Sequence, residues 1–158
     1  MIKNMGLFWK RNDVFWGRPR NAGSLLGKPS DARRSDPTDF WDQVGIYALY
    51  ADYRLVYVGQ AGQGEQGRLG DRLRQHTADD LAGRWDSFSW FGIRKVTNTN
   101  RLSEVPTIRS LTLPLILDKI EGMLIAVAEP PLNRQRGRFR DDVERYLQYH
   151  DERLDEEV

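Results

Sequence analysis

Tyr47 and Tyr57 are the side chains from which the chemistry of this sequence is most readily argued. They lie in two short aromatic and β-branched runs, 45–50 and 55–59, which residues 51–54 connect. A connection of that length predicts a β-hairpin, and neighbouring antiparallel strands would bring the two phenols towards one another. Burying two phenols together is costly unless each hydroxyl finds a hydrogen-bond partner. In an arbitrary hairpin, both would simply be half-buried sheet residues.

A predicted helix over about 67–81 follows a glycine-rich loop and carries the next candidates. Arg72 and His76 are four residues apart, so they share one helical face with Arg68. A guanidinium can stabilise negative charge that develops on the oxygens of a bound group. Arg68 and Arg74 compete with Arg72 for that role, although a solvated helix face is the more common place for such residues.

Glu121 is an acidic residue within a predicted helix that is apolar nearly all round. The helix begins near Pro114 and is stopped by Pro130. The neighbours of Glu121 one turn away are apolar: Leu117, Leu124 and Ile125. A carboxylate in such surroundings loses its charge, pairs with a cation or binds a metal ion. A buried ion pair with an arginine is the ordinary alternative to a metal site.

In this order and spacing, the residues resemble the GIY-YIG nuclease superfamily. The resemblance covers about residues 44–135 and is carried by Gly45-Ile46-Tyr47, by Tyr57-Val58-Gly59, by Arg72 with His76, and by Glu121 with Asn133 twelve residues later. It implies an α/β fold in which a small three-stranded, mostly antiparallel sheet is flanked by helices. Residues 87–93 alternate well enough to be the third strand.

The resemblance also implies a set of roles. Glu121 would hold a single Mg²⁺ (or Mn²⁺) ion, and Arg72 would stabilise the charge on the phosphate. Tyr47 would act as the general base, with Tyr57 as its hydrogen-bonded partner or alternate and His76 as a relay. Asn133 would support the site by hydrogen bonding, although after two prolines it could simply stabilise a turn.

The choice of general base stays open at this stage. An unperturbed tyrosine has a pKa of about 10, so only about one in a thousand is ionised at pH 7, an offset of roughly 4 kcal/mol. A nearby metal ion and Arg72 would lower that barrier for Tyr47. A histidine titrates near pH 6.5 and needs no such help, which makes His76 the competing base.

The charge of the chain is unevenly distributed and divides it into three predicted parts. Residues 1–140 carry 22 Lys and Arg against 15 Asp and Glu, whereas residues 141–158 carry 2 against 8, so a net +7 and a net −6 give the overall +1. We predict a basic and aromatic N-terminal arm with its linker (1–40), a nuclease domain (41–140), and an acidic C-terminal helix or tail (141–158). A moderately basic body is compatible with a polyanionic partner.

Further DNA-binding candidates come from two basic stretches. In the arm, Lys10, Arg11 and Arg18 alternate with aromatic residues, a composition suited to stacking on bases beside phosphates. The alternative is a strand that inserts its aromatic side chains into the main domain. Arg134 and Arg136 alternate along an extended-looking segment that could line the edge of a cleft, although a solvated edge is the commoner outcome.

The function expected from these observations is Mg²⁺-dependent endonucleolytic hydrolysis of DNA, restriction-like or defence-like. The alternatives are a structure-selective DNA repair nuclease and a catalytically silent DNA-binding module. The absence of cysteine suits a reducing cytoplasm. No apolar run reaches membrane-spanning length, so no membrane partner is expected. The sequence permits a homodimer without requiring one.

Overall fold

The computed structural model describes residues 2–30, 36–62, 67–106, 119–120, 122–123, 126–128 and 143–157. These residues contain nine strands: β1 (Asn4–Lys10), β2 (Phe15–Arg18), β3 (Asn21–Ser24), β4 (Leu26–Pro29), β5 (Thr38–Asp39), β6 (Gly45–Ala51), β7 (Arg54–Ala61), β8 (Ser87–Gly92) and β9 (Glu144–Gln148). Helix α1 spans Leu69–Gln75, and short 3₁₀ helices span Arg11–Asp13 and Glu152–Glu157. Residues 119–120, 122–123 and 126–128 are also helical. In the described ranges, no helix has the length and apolar character needed to cross a membrane.

Seven of the strands form one mixed sheet, in the order β5-β4-β9-β1-β8-β6-β7. Only β1 and β9 are parallel neighbours, and the other pairs are antiparallel. Strands β2 and β3 form a separate two-stranded sheet. The predicted α/β fold, with a three-stranded sheet flanked by helices, is therefore wrong. The protein is mostly β, and a wide sheet takes the place of the expected small one.

The extra width of the sheet comes from both ends of the chain. β1 lies between β8 and β9, and apolar side chains cover both of its faces. On one face Trp9 is buried in an aromatic cluster, and on the other Met5 packs with Phe91. Residues Glu144–Gln148 form a strand where the sequence suggested a short helix, since their backbone pairs with β1 and β4.

The hairpin and the third strand that the sequence predicted are present. β6 and β7 pair antiparallel over their whole length, and β8 pairs with the other edge of β6. Asp52 and Tyr53 both have positive φ, 50° and 64°, in the tight connection that suits the twist of a hairpin. The order β7-β6-β8 puts β6 inside the sheet and leaves β7 at its edge.

Two apolar clusters cover the two faces of the sheet. Side chains of alternate residues point to opposite faces of a strand. Tyr47 and Trp90 are cross-strand neighbours in one face, where they pack with α1 through Leu69 and Leu73. The opposite face holds a smaller cluster that includes Phe91 and Ala126. The larger cluster is the one that positions the candidate site.

Candidate active site

Tyr47 lies in the middle of β6 and is completely buried beneath α1. Its hydroxyl oxygen is 2.8 Å from Nε2 of His76. Directly across the hairpin, the partner of Tyr47 in β7 is Gly59. A Cβ atom on Gly59 would lie 2.4 Å from both Cζ and the hydroxyl oxygen of Tyr47. The second glycine of the hairpin therefore makes the space that the Tyr47 ring occupies.

His76 follows the last residue of α1 and is 4% exposed. The buried side chains of Leu69 and Leu73 attach α1 to the sheet, so the end of the helix lies above Tyr47. The indole Nε1 of Trp85 donates a hydrogen bond to the backbone carbonyl of His76, at 3.0 Å. The hydrogen bond from Trp85 to the backbone and the hydrogen bond between Tyr47 and the ring thus hold the imidazole in position. Helix α1 is shorter than predicted because the hydroxyl of Thr77 bonds to the carbonyl of Arg74 and the following residues form turns.

Asp79 completes a chain of three side chains that the sequence alone did not reveal. Its Oδ2 is 2.7 Å from Nδ1 of His76, and its Oδ1 accepts the backbone N–H of Leu81 at 2.9 Å. Burial acts to raise the pKa of Asp79, but the hydrogen bonds from Leu81 and His76 outweigh it, and the pKa is lower than usual. The only sequence signal was the three-residue spacing between His76 and Asp79, which is common on helices.

Tyr57 closes the other side of the imidazole. Its ring centroid is 4.9 Å from that of His76, in an edge-on arrangement, and 6.2 Å from that of Tyr47. Unlike Tyr47, it is only partly buried, because β7 is the edge strand. Tyr57 therefore lies between the buried phenol and solvent.

Arg72 supplies the positive charge of the site. Its Nη1 donates to the side-chain oxygen of Gln75 at 2.8 Å, and its Nε is buried with no hydrogen-bond partner among the described residues. A buried guanidinium N–H without a partner is uncommon, because its desolvation is not compensated. The charge of this guanidinium acts on Tyr47, where it works to lower the pKa of the phenol.

Burial raises the pKa of Tyr47 to about 12, even though the nearby charge of Arg72 acts in the opposite direction. At neutral pH the phenol is therefore protonated. For its oxygen to accept a proton from water, Tyr47 must pass its own proton to another group. The Nε2 atom of His76 is the hydrogen-bonded neighbour that can receive it.

The described residues bring four of the six predicted catalytic side chains together: Tyr47, Tyr57, Arg72 and His76. Glu121 and Asn133 lie outside the described residues, as do the DNA-binding candidates Arg134 and Arg136. Within the described residues, no group of three or more His, Asp or Glu side chains could hold a metal ion. Mg²⁺ prefers oxygen ligands, and both oxygens of the Asp79 carboxylate are bonded within the protein, to His76 and to Leu81.

The remaining basic candidates lie on several elements. Arg68 precedes α1, and its backbone N–H donates to Asp71 at 3.1 Å. Arg74 lies over the ring of Trp41, 5.2 Å from its centroid, and pairs with Asp71 at 3.5 Å. The Asp71 contacts lie within the helix and its cap, and the contact with Trp41 attaches the helix to the rest of the protein.

In the N-terminal part, the Lys10 side chain is exposed at the end of β1. Arg11 lies over the Trp85 ring and donates to the carbonyls of Ala82 and Trp85. Arg18 lies over the Phe15 ring at 5.4 Å. Trp9 is buried in the core, which is the packing role that the sequence left open for the aromatic residues of this segment.

The chain matches no protein-family model, and no curated protein or solved structure is detectably similar to it.

Proposed function

We propose that this protein is a metal-dependent endonuclease that hydrolyses the phosphodiester bonds of DNA. The observation that carries the proposal is the 2.8 Å hydrogen bond between the Tyr47 hydroxyl and His76 Nε2, beside an arginine with an unused buried donor. The reaction requires removal of a proton from water and stabilisation of charge on the phosphate. The neutral Tyr47–His76 pair suits the first requirement, and the cationic Arg72 suits the second.

In the proposed reaction, the oxygen of a water molecule forms a bond to phosphorus. Its proton moves to the Tyr47 oxygen while the Tyr47 proton moves to Nε2 of His76. The P–O bond to the leaving sugar oxygen breaks, and that oxygen takes a proton from solvent. His76 then returns the proton to solvent. This concerted transfer avoids a free phenolate, which a pKa of about 12 makes rare at neutral pH.

The guanidinium of Arg72 would bind a non-bridging phosphate oxygen. A charge-assisted hydrogen bond of this kind is about twice as strong as a neutral one. It also strengthens as charge develops on that oxygen, and this difference accelerates the chemical step. A bound Mg²⁺ or Mn²⁺ ion, for which Glu121 is the proposed ligand, would supply further stabilisation of the phosphate charge.

DNA is the proposed substrate because of the resemblance to GIY-YIG nucleases and the net +7 of residues 1–140. We further propose a restriction-like or defence-like role, in the cytoplasm, whose reducing conditions suit a sequence without cysteine. Arg134 and Arg136 stay proposed phosphate contacts.

The test is incubation with supercoiled plasmid, single-stranded and branched DNA, in Mg²⁺, Mn²⁺ or EDTA, followed by mapping of the ends. Tyr47→Phe should lower the single-turnover rate by at least about a hundredfold, in line with general-base contributions of 10²–10⁴. Tyr50→Phe is the matched control, because it removes an equally buried phenol from the opposite face of the same strand.

Three outcomes would change the proposal. DNA binding without cleavage under any metal condition would indicate a silent binding module instead of an enzyme. Cleavage confined to branched DNA would favour a structure-selective repair nuclease. Near-normal turnover by Tyr47→Phe would show that the buried phenol is not part of the proton transfer.

A further inference from the structure

We propose that Asp79 is a positioning residue of this site, whose carboxylate holds a proton on Nδ1 of His76 and so leaves the Nε2 lone pair free to accept the Tyr47 proton. The inference deepens the proposed endonuclease and rests on it for the reaction step. The proton position itself is a property of the folded protein and can be measured without DNA.

The hydrogen-bonding capacity of the Asp79 carboxylate determines which ring nitrogen of His76 carries the proton. An ionised carboxylate can only accept hydrogen bonds, whereas the two ring nitrogens of a neutral histidine divide into one donor and one acceptor. Asp79 Oδ2 is 2.7 Å from Nδ1, so Nδ1 must be the donor when Asp79 is ionised. The low pKa of Asp79 keeps it ionised at neutral pH. Nε2 is then the acceptor, and the hydroxyl of Tyr47 must be its donor.

The carboxylate is itself held in place. One of its oxygens accepts the N–H of Leu81, and the other faces His76, so rotation of the carboxyl group would break one bond or both. Asp79 is well exposed, with a side-chain exposure of 42%, whereas the His76 side chain is 5% exposed. A surface ion pair contributes little to stability. Here the exposed carboxylate of Asp79 instead determines which ring nitrogen of the buried His76 carries the proton.

The surrounding side chains prevent the imidazole ring of His76 from flipping by 180°, which would exchange the positions of its two nitrogens. Tyr47 and Tyr57 face it from β6 and β7, and Arg72 and Asp79 are the charged groups near it on its own segment. A flipped ring would lose both the 2.8 Å bond to Tyr47 and the 2.7 Å bond to Asp79. When His76 accepts the proton, both nitrogens become donors, and the Asp79 carboxylate stabilises the resulting cation.

The experiment measures the two ring nitrogens of His76 by NMR on ¹⁵N-labelled protein, at a pH where the imidazole is neutral. His76 and His150 are the only histidines, so a His150→Gln variant assigns the signals. We expect a protonated Nδ1 and an unprotonated Nε2 in the wild type. Asp79→Asn can present its amide N–H₂ to Nδ1, so the proton should move to Nε2. Asp80→Asn removes the same charge one residue later and should leave the pattern unchanged.

A parallel activity measurement separates positioning from mere stability. Asp79→Asn should lower the single-turnover rate by at least about tenfold, because the imidazole would then carry its proton on the wrong ring nitrogen. Asp79→Glu keeps the carboxylate and should recover part of that loss, together with the wild-type proton pattern.

A wild-type protein with its proton on Nε2 would overturn the inference, and so would an Asp79→Asn variant with the wild-type pattern. The wild-type spectrum alone decides the matter if Asp79→Asn does not fold. If the wild type shows the expected pattern but cleaves no DNA, the endonuclease proposal fails while the role of Asp79 in setting the proton position stands.

Discussion

Gly59→Ala tests whether the space above the hairpin is required by the site. The new methyl carbon would lie 2.4 Å from Cζ and the hydroxyl oxygen of Tyr47, and 2.8 Å from Cε1 of Tyr57. The Tyr47 ring is completely buried under α1 and cannot yield freely, whereas the Tyr57 ring is only partly buried. Relief of the contact requires Tyr47 to move away from β7, which lengthens its 2.8 Å hydrogen bond to His76.

The sign of the effect follows from two opposing contributions. Replacing glycine by alanine restricts the unfolded chain and would otherwise stabilise the protein by about 0.4–1 kcal/mol. Overpacking a buried site costs about 1–3 kcal/mol, and loss of a buried hydrogen bond costs about 1–3 kcal/mol more. The two unfavourable contributions together are larger than the favourable one. We expect a net loss of at least about 2 kcal/mol, which lowers the Tm of a chain of this size by about 4 °C or more.

Urea unfolding and thermal melting measure this loss, and the His76 ring signals report the hydrogen bond. Gly83→Ala is the control, since a Cβ atom there meets no other atom within 4 Å. That variant should be at least as stable as the wild type. If Gly59→Ala were equally stable and kept the Tyr47–His76 bond, the role assigned to Gly59 would be refuted.

Three other predictions concern the remainder of the structure. Burial raises the pKa of both Tyr47 and Tyr50 to about 12. The unfolded chain therefore loses these protons first, and the free energy of unfolding should fall between about pH 10 and 12; a Tyr47→Phe, Tyr50→Phe double variant should flatten this slope in urea titrations. Hydrogen bonding from Arg153 lowers the pKa of Asp151 to about 2. The stability that this pair contributes is present above about pH 4 and is lost as the pH falls through 2, and Asp151→Asn should remove that part of the acid dependence. Deletion of residues 2–10 removes β1 from inside the sheet, so circular dichroism should show an unfolded protein; a folded and cooperative truncation would contradict the assigned topology.

The part of the structure that the sequence predicted well is local. The β6–β7 hairpin is defined by two aromatic and β-branched runs and a short connection, so its strands follow from neighbouring residues, although the register shift between Leu49 and Tyr50 does not. Tyr47 and His76 are brought together by β6 and the helix that follows the hairpin.

The part that the sequence did not reveal depends on distant pairing. β1 is covered on both faces and contains a register irregularity between Gly6 and Trp9, with Phe8 at a φ of 52°, so it lacks the alternation of a half-buried strand. β9 carries charged residues and becomes a strand only through its pairing with β1 and β4. Neither feature is visible in a short window of sequence, and both were decisive for the fold class.

The adjacency of β1 to β9 has a consequence for how the protein is made. Asn4 leaves the ribosome early, but its partners Gly92 and Glu144 are translated much later. At about 5–20 residues per second, the 140 residues from Asn4 to Glu144 take roughly 7–28 seconds to synthesise. The segment with β6, β7, α1 and β8 is contiguous in the chain and can assemble in the meantime, with β1 added beside β8. During synthesis, the second edge of β1 therefore stays unpaired until β9 is made, and an unpaired strand edge is a site where another chain can add.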